Sequence, residues 1–180
     1  MTERTAREGA SRVLYDSATI QRCVAELGAQ ITRDYADRSL VLVALLKGSF
    51  VFAADLARTI DLPLSIEFLG VQSYGNNTKT TGVVQITQDL TRPIAGDHVL
   101  IVEDIVDTGL TLAYISEQLQ ARGPSTVKVC ALLHKPSRMQ QAVHIDYLGF
   151  TIDDVFVVGY GLDYAQRYRN LPDICVVDST

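Results

Sequence analysis

The stretch that decides the fold is VLIVEDIVDTGLTL, Val99 to Leu112. An apolar run suited to a buried strand ends in three carboxylates, Glu103, Asp104 and Asp107, and then opens into Thr-Gly-Leu-Thr. Burying unpaired carboxylates is costly, and like charges raise one another's pKa values. Acids placed here imply a ligand that compensates them. In open parallel sheets, ligands bind beyond the carboxyl ends of the strands. The turn Asp107-Thr108-Gly109-Leu110-Thr111 is suited to lead from such an end into a helix. Helix N-termini leave backbone N–H groups without partners and carry about half a positive charge. Gly109 lets a ligand approach the main chain, and Thr108 and Thr111 add hydroxyl donors, which makes the turn a candidate phosphate cradle.

A phosphate cradle beside three acids is consistent if the ligand also presents hydroxyl groups, a divalent metal or developing positive charge. A ribose 5-phosphate fits on all counts. Its phosphate goes to the turn, its 2- and 3-hydroxyls donate to Glu103 and Asp104, and its anomeric carbon, cationic in a dissociative transition state, lies near Asp107. The plainer alternative makes Asp107 a helix cap and leaves the other acids in water. That suits an isolated D-x-x-x-T better than the whole pattern V-x-x-V-E-D-x-x-D-T-G-x-T.

Outward from this stretch, apolar runs alternate with helical periodicity. Ile20, Val24, Leu27, Ile31 and Tyr35 mark an amphipathic helix that Asp16 or Ser17 could cap. LVLVALL, Leu40 to Leu46, suits a strand covered on both faces. It breaks at Lys47-Gly48-Ser49 before a returning helix, Phe50 to Ile60. Further strands are expected at Leu64 to Val71, in GVVQITQDL, at Val99 to Ile105, in TVKVCALL and in DVFVVGY. A helix from about Thr108 to Ala121 closes at Gly123-Pro124. Gln72 to Gly82 has no apolar period and is rich in turn formers. The pattern predicts an α/β fold with a largely parallel central sheet flanked by helices.

The 180 residues suffice for one core, and the 47% hydrophobic, 21% charged composition is that of a globular protein. No apolar run approaches the roughly 20 residues of a membrane span, and MTERTAREGASR has no apolar core, so it is expected to be a mobile tail rather than a secretory signal. The net charge of −5 argues against general nucleic-acid binding but not against an anionic small molecule. Cys23, Cys130 and Cys175 lie in apolar contexts without a CxxC pair, which points to reduced thiols and a cytoplasmic protein. His98, His134 and His144 share no metal-ligand spacing.

VLIVEDIVDTGLTL resembles the phosphoribosyl pyrophosphate motif of the type I phosphoribosyltransferases. LLKGSF, SYGNNTKTTG, LLHKPSR and DVFVVGYGLDYAQRYRNLP resemble the remaining motifs of the hypoxanthine(-guanine) phosphoribosyltransferases, in that family's order, from about Val13 to Val177. The resemblance implies the type I phosphoribosyltransferase fold with a small hood built from terminal segments. It implies one domain over residues 1–180, with a tail at 1–12, a flexible lid at 73–82 and a purine-binding hood drawing on about 135–180. The implied reaction is purine salvage: transfer of 5-phosphoribosyl from phosphoribosyl pyrophosphate to N9 of hypoxanthine, and also guanine, with release of pyrophosphate.

By the same resemblance, Glu103, Asp104, Asp107, Thr108, Gly109, Leu110 and Thr111 bind the phosphoribosyl group, and Asp107 is the candidate general base. Lys47 and Gly48, with a strained, often cis, Leu46–Lys47 peptide, bind pyrophosphate together with Ser73, Tyr74 and Arg169. Lys135 donates to the 6-oxo group, Phe156 stacks on the purine, and the backbone of Val157 reads its edge. Mg²⁺ is the implied cofactor, with Glu103, Asp104 and Asp163 as its residues. A homodimer or homotetramer is implied, with small-molecule substrates and neither nucleic acid nor membrane as partner. Taken singly, Lys47 and Lys135 read as solvated lysines and Phe156 as a core residue. Glu103 and Asp104, adjacent on a strand, face opposite ways unless the strand end twists. Gly70, Val71 and Gln72 stand where some relatives carry basic residues, and Asp153 where several have proline.

Two rivals remain at this level. One is a phosphoribosyltransferase-fold regulator that senses nucleotides and binds RNA, for which a basic face is expected. The other is a receiver-type signalling domain, which explains neither the Asp-Thr-Gly-Leu-Thr turn nor the lid.

Overall fold

The computed structural model describes residues 12–74 and 83–177, with only the backbone of Ser73, Tyr74 and Val83. The expected tail, apart from Arg12, and positions 75–82 of the expected lid lie outside the described residues. In chain order the elements are β1 (Arg12–Tyr15), α1 (Ser17–Asp34), β2 (Leu40–Leu46), α2 (Phe50–Thr59), β3 (Leu64–Tyr74), β4 (Val83–Gln88) and β5 (His98–Val106). They continue with α3 (Leu110–Gln120), β6 (Thr126–His134), β7 (Tyr147–Thr151), β8 (Val157–Val158) and β9 (Ile174–Val176).

LVLVALL is buried on both faces because it is the centre of a six-stranded sheet, ordered β4-β3-β2-β5-β6-β7. All pairings are parallel except β3 with β4. Alternation along β2 divides the core. Leu40, Leu42 and Ala44 pack beneath α1 and α2 with Ile20, Val24 and Phe52. Val41, Val43 and Leu45 pack on the other side with Leu112, Ile115 and Leu119 of α3. Asp16, not Ser17, caps α1, accepting from Thr19 N at 2.7 Å. Among the described residues no helix is long and apolar enough to cross a membrane.

A second, three-stranded antiparallel sheet, β1-β9-β8, joins the two ends of the described chain. Ser17 N, at the start of α1, donates to Asp173 Oδ1 at 2.9 Å and fastens this layer to the body. DVFVVGY belongs here rather than in the central sheet, and only Val157 and Val158 of it are strand. Positive φ at Gly159, Tyr160 and Gly161 ends the pairing. The edge strand β7, and both β1 and β9, are too short or too irregular in pattern to stand out in the sequence.

Most boundaries fall within one residue of expectation, and two differ by more. β3 runs on to Tyr74, past Val71, because Val83 and Val84 pair with Tyr74 and Ser73 across a hairpin. α3 starts at Leu110, not Thr108, because Gly109 is left-handed at φ +79° and cannot continue a right-handed helix. Cys130 and Cys175 are buried thiols and Cys23 is partly buried. Burial first, and then Glu26, pushes the Cys23 thiol up to about 11.

Candidate active site

The carboxyl ends of β2, β5 and β6 open toward the small sheet across a cleft of about 350 Å³. Strand alternation decides which acid of the Glu103-Asp104 pair enters it. Asp104 lines the cleft. Glu103 does not, since it pairs with Ala131, whose side chain lies in the layer under α3. Its Oε2 is sealed from solvent and has no hydrogen-bond partner among the described residues. Burial, and then Asp104, raises the Glu103 carboxyl well above the ordinary glutamate range. Burial likewise raises Asp104, against the opposing pull of the Ile105 and Asp104 N–H groups and Arg169.

The turn after β2 forms the facing wall. The Leu46–Lys47 peptide is cis, Ser49 Oγ donates to Leu45 O at 2.6 Å, and Lys47 is exposed at the cleft. Gly48 lies directly against Asp104. Gly161 packs on Gly48 from the hood side, close enough that a side-chain carbon on it would fall 2.2 Å from Gly48 O. From Gly161 the chain turns through Asp163 to Arg169. Arg169 Nη1 donates to Gly161 O at 2.7 Å, and Nη2 pairs with Asp163 Oδ1 at 2.7 Å. Gln166 N donates to Asp163 Oδ2 at 2.8 Å. Lys47 and Arg169 also border a neighbouring basin of about 490 Å³ that reaches Gln72, Gln88 and Gln166.

At the opposite end of the cleft, Lys135 is buried, with its backbone N–H on Val106 O at 2.9 Å and Nζ 3.9 Å from Asp154. Phe156 is 47% exposed, and its edge meets the Tyr164 ring at 5.6 Å between centroids. Val157 lines the cleft from β8, which lies at the edge of its sheet beside β9. Asp107 sits between the two ends and accepts from Arg138 Nε at 3.1 Å. Thr108, Gly109, Leu110 and Thr111 form the turn beside Asp107 and the first residues of α3. The backbones of Ser73 and Tyr74 lie in the β3–β4 hairpin, and their side chains fall outside the described structure.

The cleft thus gathers Lys47, Gly48, Asp104, Asp107, Lys135, Phe156, Val157, Asp163 and Arg169, from four separate stretches of chain. Residues 12–165 match the phosphoribosyl transferase domain family. The chain belongs to that family. The hypoxanthine phosphoribosyltransferase of Haemophilus influenzae is 51% identical, with 88% of this chain and 90% of the relative covered. The hypoxanthine-guanine phosphoribosyltransferase of Bacillus subtilis is 46% identical, over 92% of each. A crystal structure of a Staphylococcus aureus hypoxanthine phosphoribosyltransferase matches with a TM-score of 0.93 and 44% identity, covering 99% of this chain and 97% of that one. This phosphoribosyltransferase has the type I fold of those relatives, and the family acts on small molecules.

Two further residues of this phosphoribosyltransferase, Arg138 and Tyr160, make contacts that bear on the site. Arg138 lies within the quoted LLHKPSR, and its spacing of three from Lys135 across a proline-started turn was the available signal. Tyr160, which donates to Asp55 Oδ2 at 2.6 Å and so ties the hood to α2, could not be found that way. Its partner is 105 positions away. Of the expected metal residues, Asp104 and Asp163 line the cleft, and Glu103 leaves β5 on the opposite side from Asp104. Among the described residues no group of three His, Cys, Asp or Glu side chains could hold a metal ion by itself.

Proposed function

We propose that this phosphoribosyltransferase is a purine salvage enzyme, transferring 5-phosphoribosyl from phosphoribosyl pyrophosphate to N9 of hypoxanthine and guanine and releasing pyrophosphate. The observation that carries this reading is one cleft with cations at one end, a buried lysine and an open aromatic face at the other, and acids between.

In this reading Lys47 and Arg169 take the pyrophosphate oxygens, where a guanidinium offers paired donors. The turn from Asp107 to Thr111 takes the 5-phosphate, and Asp104 takes the ribose hydroxyls. Lys135 selects a 6-oxopurine, because an ammonium group donates but accepts no hydrogen bond, so a 6-amino group finds no acceptor there. Phe156 stacks on the base, and the Val157 backbone reads its edge. Asp107 takes the proton from the purine imidazole as N9 bonds to the anomeric carbon, and its charge stabilises the cationic sugar. Ser73 and Tyr74, whose backbones end β3, are read as helping to keep water from that cation.

Mg²⁺ is the cofactor of this reading. It binds through one or two carboxylates and completes its shell with water and phosphate oxygens. Asp104 and Asp163, both in the cleft, suit that mode, and buried Asp104, with its raised pKa, is a group that a cation would stabilise in its ionised form. Bound there, Mg²⁺ would neutralise the leaving pyrophosphate. The chain is read as a single domain in a cytoplasmic homodimer or homotetramer; sedimentation equilibrium measures the subunit number.

The test is an assay with phosphoribosyl pyrophosphate and Mg²⁺ against hypoxanthine, guanine, xanthine and adenine, with a crystal soaked in nucleoside monophosphate. Turnover of hypoxanthine and guanine, rejection of adenine and a phosphate seated at residues 107–111 are expected. A phosphate lodged elsewhere overturns the reading.

A further inference from the structure

The segment carrying Lys135 is fastened to the turn carrying Asp107 at both of its ends. Lys135 N donates to Val106 O at 2.9 Å, and Gln140 N and Gln141 N donate to Thr108 O at 2.9 and 3.1 Å. Gly109 is pressed beneath Gln141, where a side-chain carbon would lie 2.2 Å from the Gln141 carbonyl oxygen. Residues 106 and 108 are therefore held by main-chain bonds, and the residue between them is held by a side chain. The short helical turn Pro136–Arg138 presents Arg138, whose Nε donates to Asp107 Oδ1 at 3.1 Å. The far end of the guanidinium faces Asp154 at 3.7 Å, and Asp154 in turn faces Lys135 Nζ at 3.9 Å.

We propose that Arg138 is a positioning residue for the phosphoribosyl transfer step: it fixes the Asp107 carboxylate by one oxygen and leaves Oδ2 turned to the substrate. Among the described residues Asp107 accepts no other hydrogen bond, so without Arg138 its side chain is free to rotate. Arg138 and Asp107 are both well exposed, and exposed ion pairs add little to stability. Their contact matters for orientation, because a misplaced catalytic group costs rate even where substrates still bind. Asp154 holds the other end of the guanidinium, and its second contact, to Lys135, links the base-reading end of the cleft to the carboxylate beside the sugar. The inference rests on the reading of Asp107 as the catalytic acid–base group.

The experiment measures single-turnover transfer to hypoxanthine, the dissociation constant for inosine monophosphate and the melting temperature for Arg138→Met, Arg138→Lys, Asp107→Asn and the Asp107→Asn/Arg138→Met pair. Arg138→Met should slow the transfer step about tenfold, the loss expected from one charge-assisted hydrogen bond. Its product affinity should stay within about threefold and its melting temperature near wild type, since binding and fold do not depend on this contact. Arg138→Lys, which keeps one charged donor, should recover part of the rate. In the Asp107→Asn background, Arg138→Met should have no further effect, because a residue that acts through another loses its influence when that residue is gone. A rate within twofold of wild type for Arg138→Met, with Asp107→Asn strongly impaired, overturns this inference and leaves the proposed function intact. So does a full additional tenfold loss in the double variant. Near-normal transfer by Asp107→Asn overturns the reading of Asp107 itself, and this inference with it.

Discussion

Gly48 and Asp104 stand in direct contact across the cleft: a side-chain carbon on Gly48 would fall 1.8 Å from Asp104 Oδ2. The turn after β2 and the end of β5 therefore meet through a glycine and a buried carboxylate. The cleft keeps its acid accessible only because nothing projects from position 48.

Gly48→Ala should displace the Asp104 carboxylate without unfolding the protein, since the clash is with a side chain rather than the main chain. Phosphoribosyl pyrophosphate affinity should fall about tenfold or more. Isothermal titration with the substrate measures it, and wild-type affinity would show that Asp104 yields freely.

Asp104 is raised above the ordinary carboxylate range mainly by burial, and this sets a sign for pH. A carboxyl with a raised folded-state pKa binds more protons folded than unfolded. Ionising it costs stability, a cost absent below the ordinary aspartate value of 3.8 and complete once the pH exceeds the folded-state pKa. Asp104→Asn should therefore melt higher than wild type at pH 8, without metal or substrate, and the gap should close toward pH 4. Turnover should fall about a hundredfold or more, since the variant loses a charged ligand in the cleft. Melting curves from pH 4 to 8 decide it, and a difference that does not change with pH counts against burial as the cause.

Tyr160→Phe removes the donor to Asp55 while leaving that carboxylate to Gln21 and Arg58. A loss of about 1–2 kcal/mol in urea unfolding is expected for a bond to a charged acceptor. The loop from Gly161 to Arg169 follows directly, so KM for pyrophosphate in the reverse reaction should rise. Unchanged values for both would assign Tyr160 to packing alone.

Lys135→Met keeps the length of a buried side chain and removes its donors. Hypoxanthine kcat/KM should fall about 10- to 100-fold, the worth of a hydrogen bond from a charged group. Adenine, which gains nothing from Lys135, should be unaffected, so discrimination narrows. Steady-state assays on both bases measure the ratio.

By itself the sequence determined the α/β class, the central strands and the acidic strand end. Each is written locally: Leu40 to Leu46 is apolar throughout because both its faces are covered, and Asp107 to Thr111 follow one another along the chain. Resemblance supplied Lys47, Lys135, Phe156, Asp163 and Arg169, whose types alone read as surface or core. Tertiary structure decided what depends on direction and distance. It turned Asp104 into the cleft and Glu103 away, because the choice follows from the face each strand residue presents to its neighbours. It moved Val157 and Val158 into a second sheet, with partners from the far end of the chain. It set Arg138 on Asp107 and Tyr160 on Asp55, contacts that span 31 and 105 positions. Periodicity registers only neighbours along the chain, so contacts of that range leave no trace until the chain is folded.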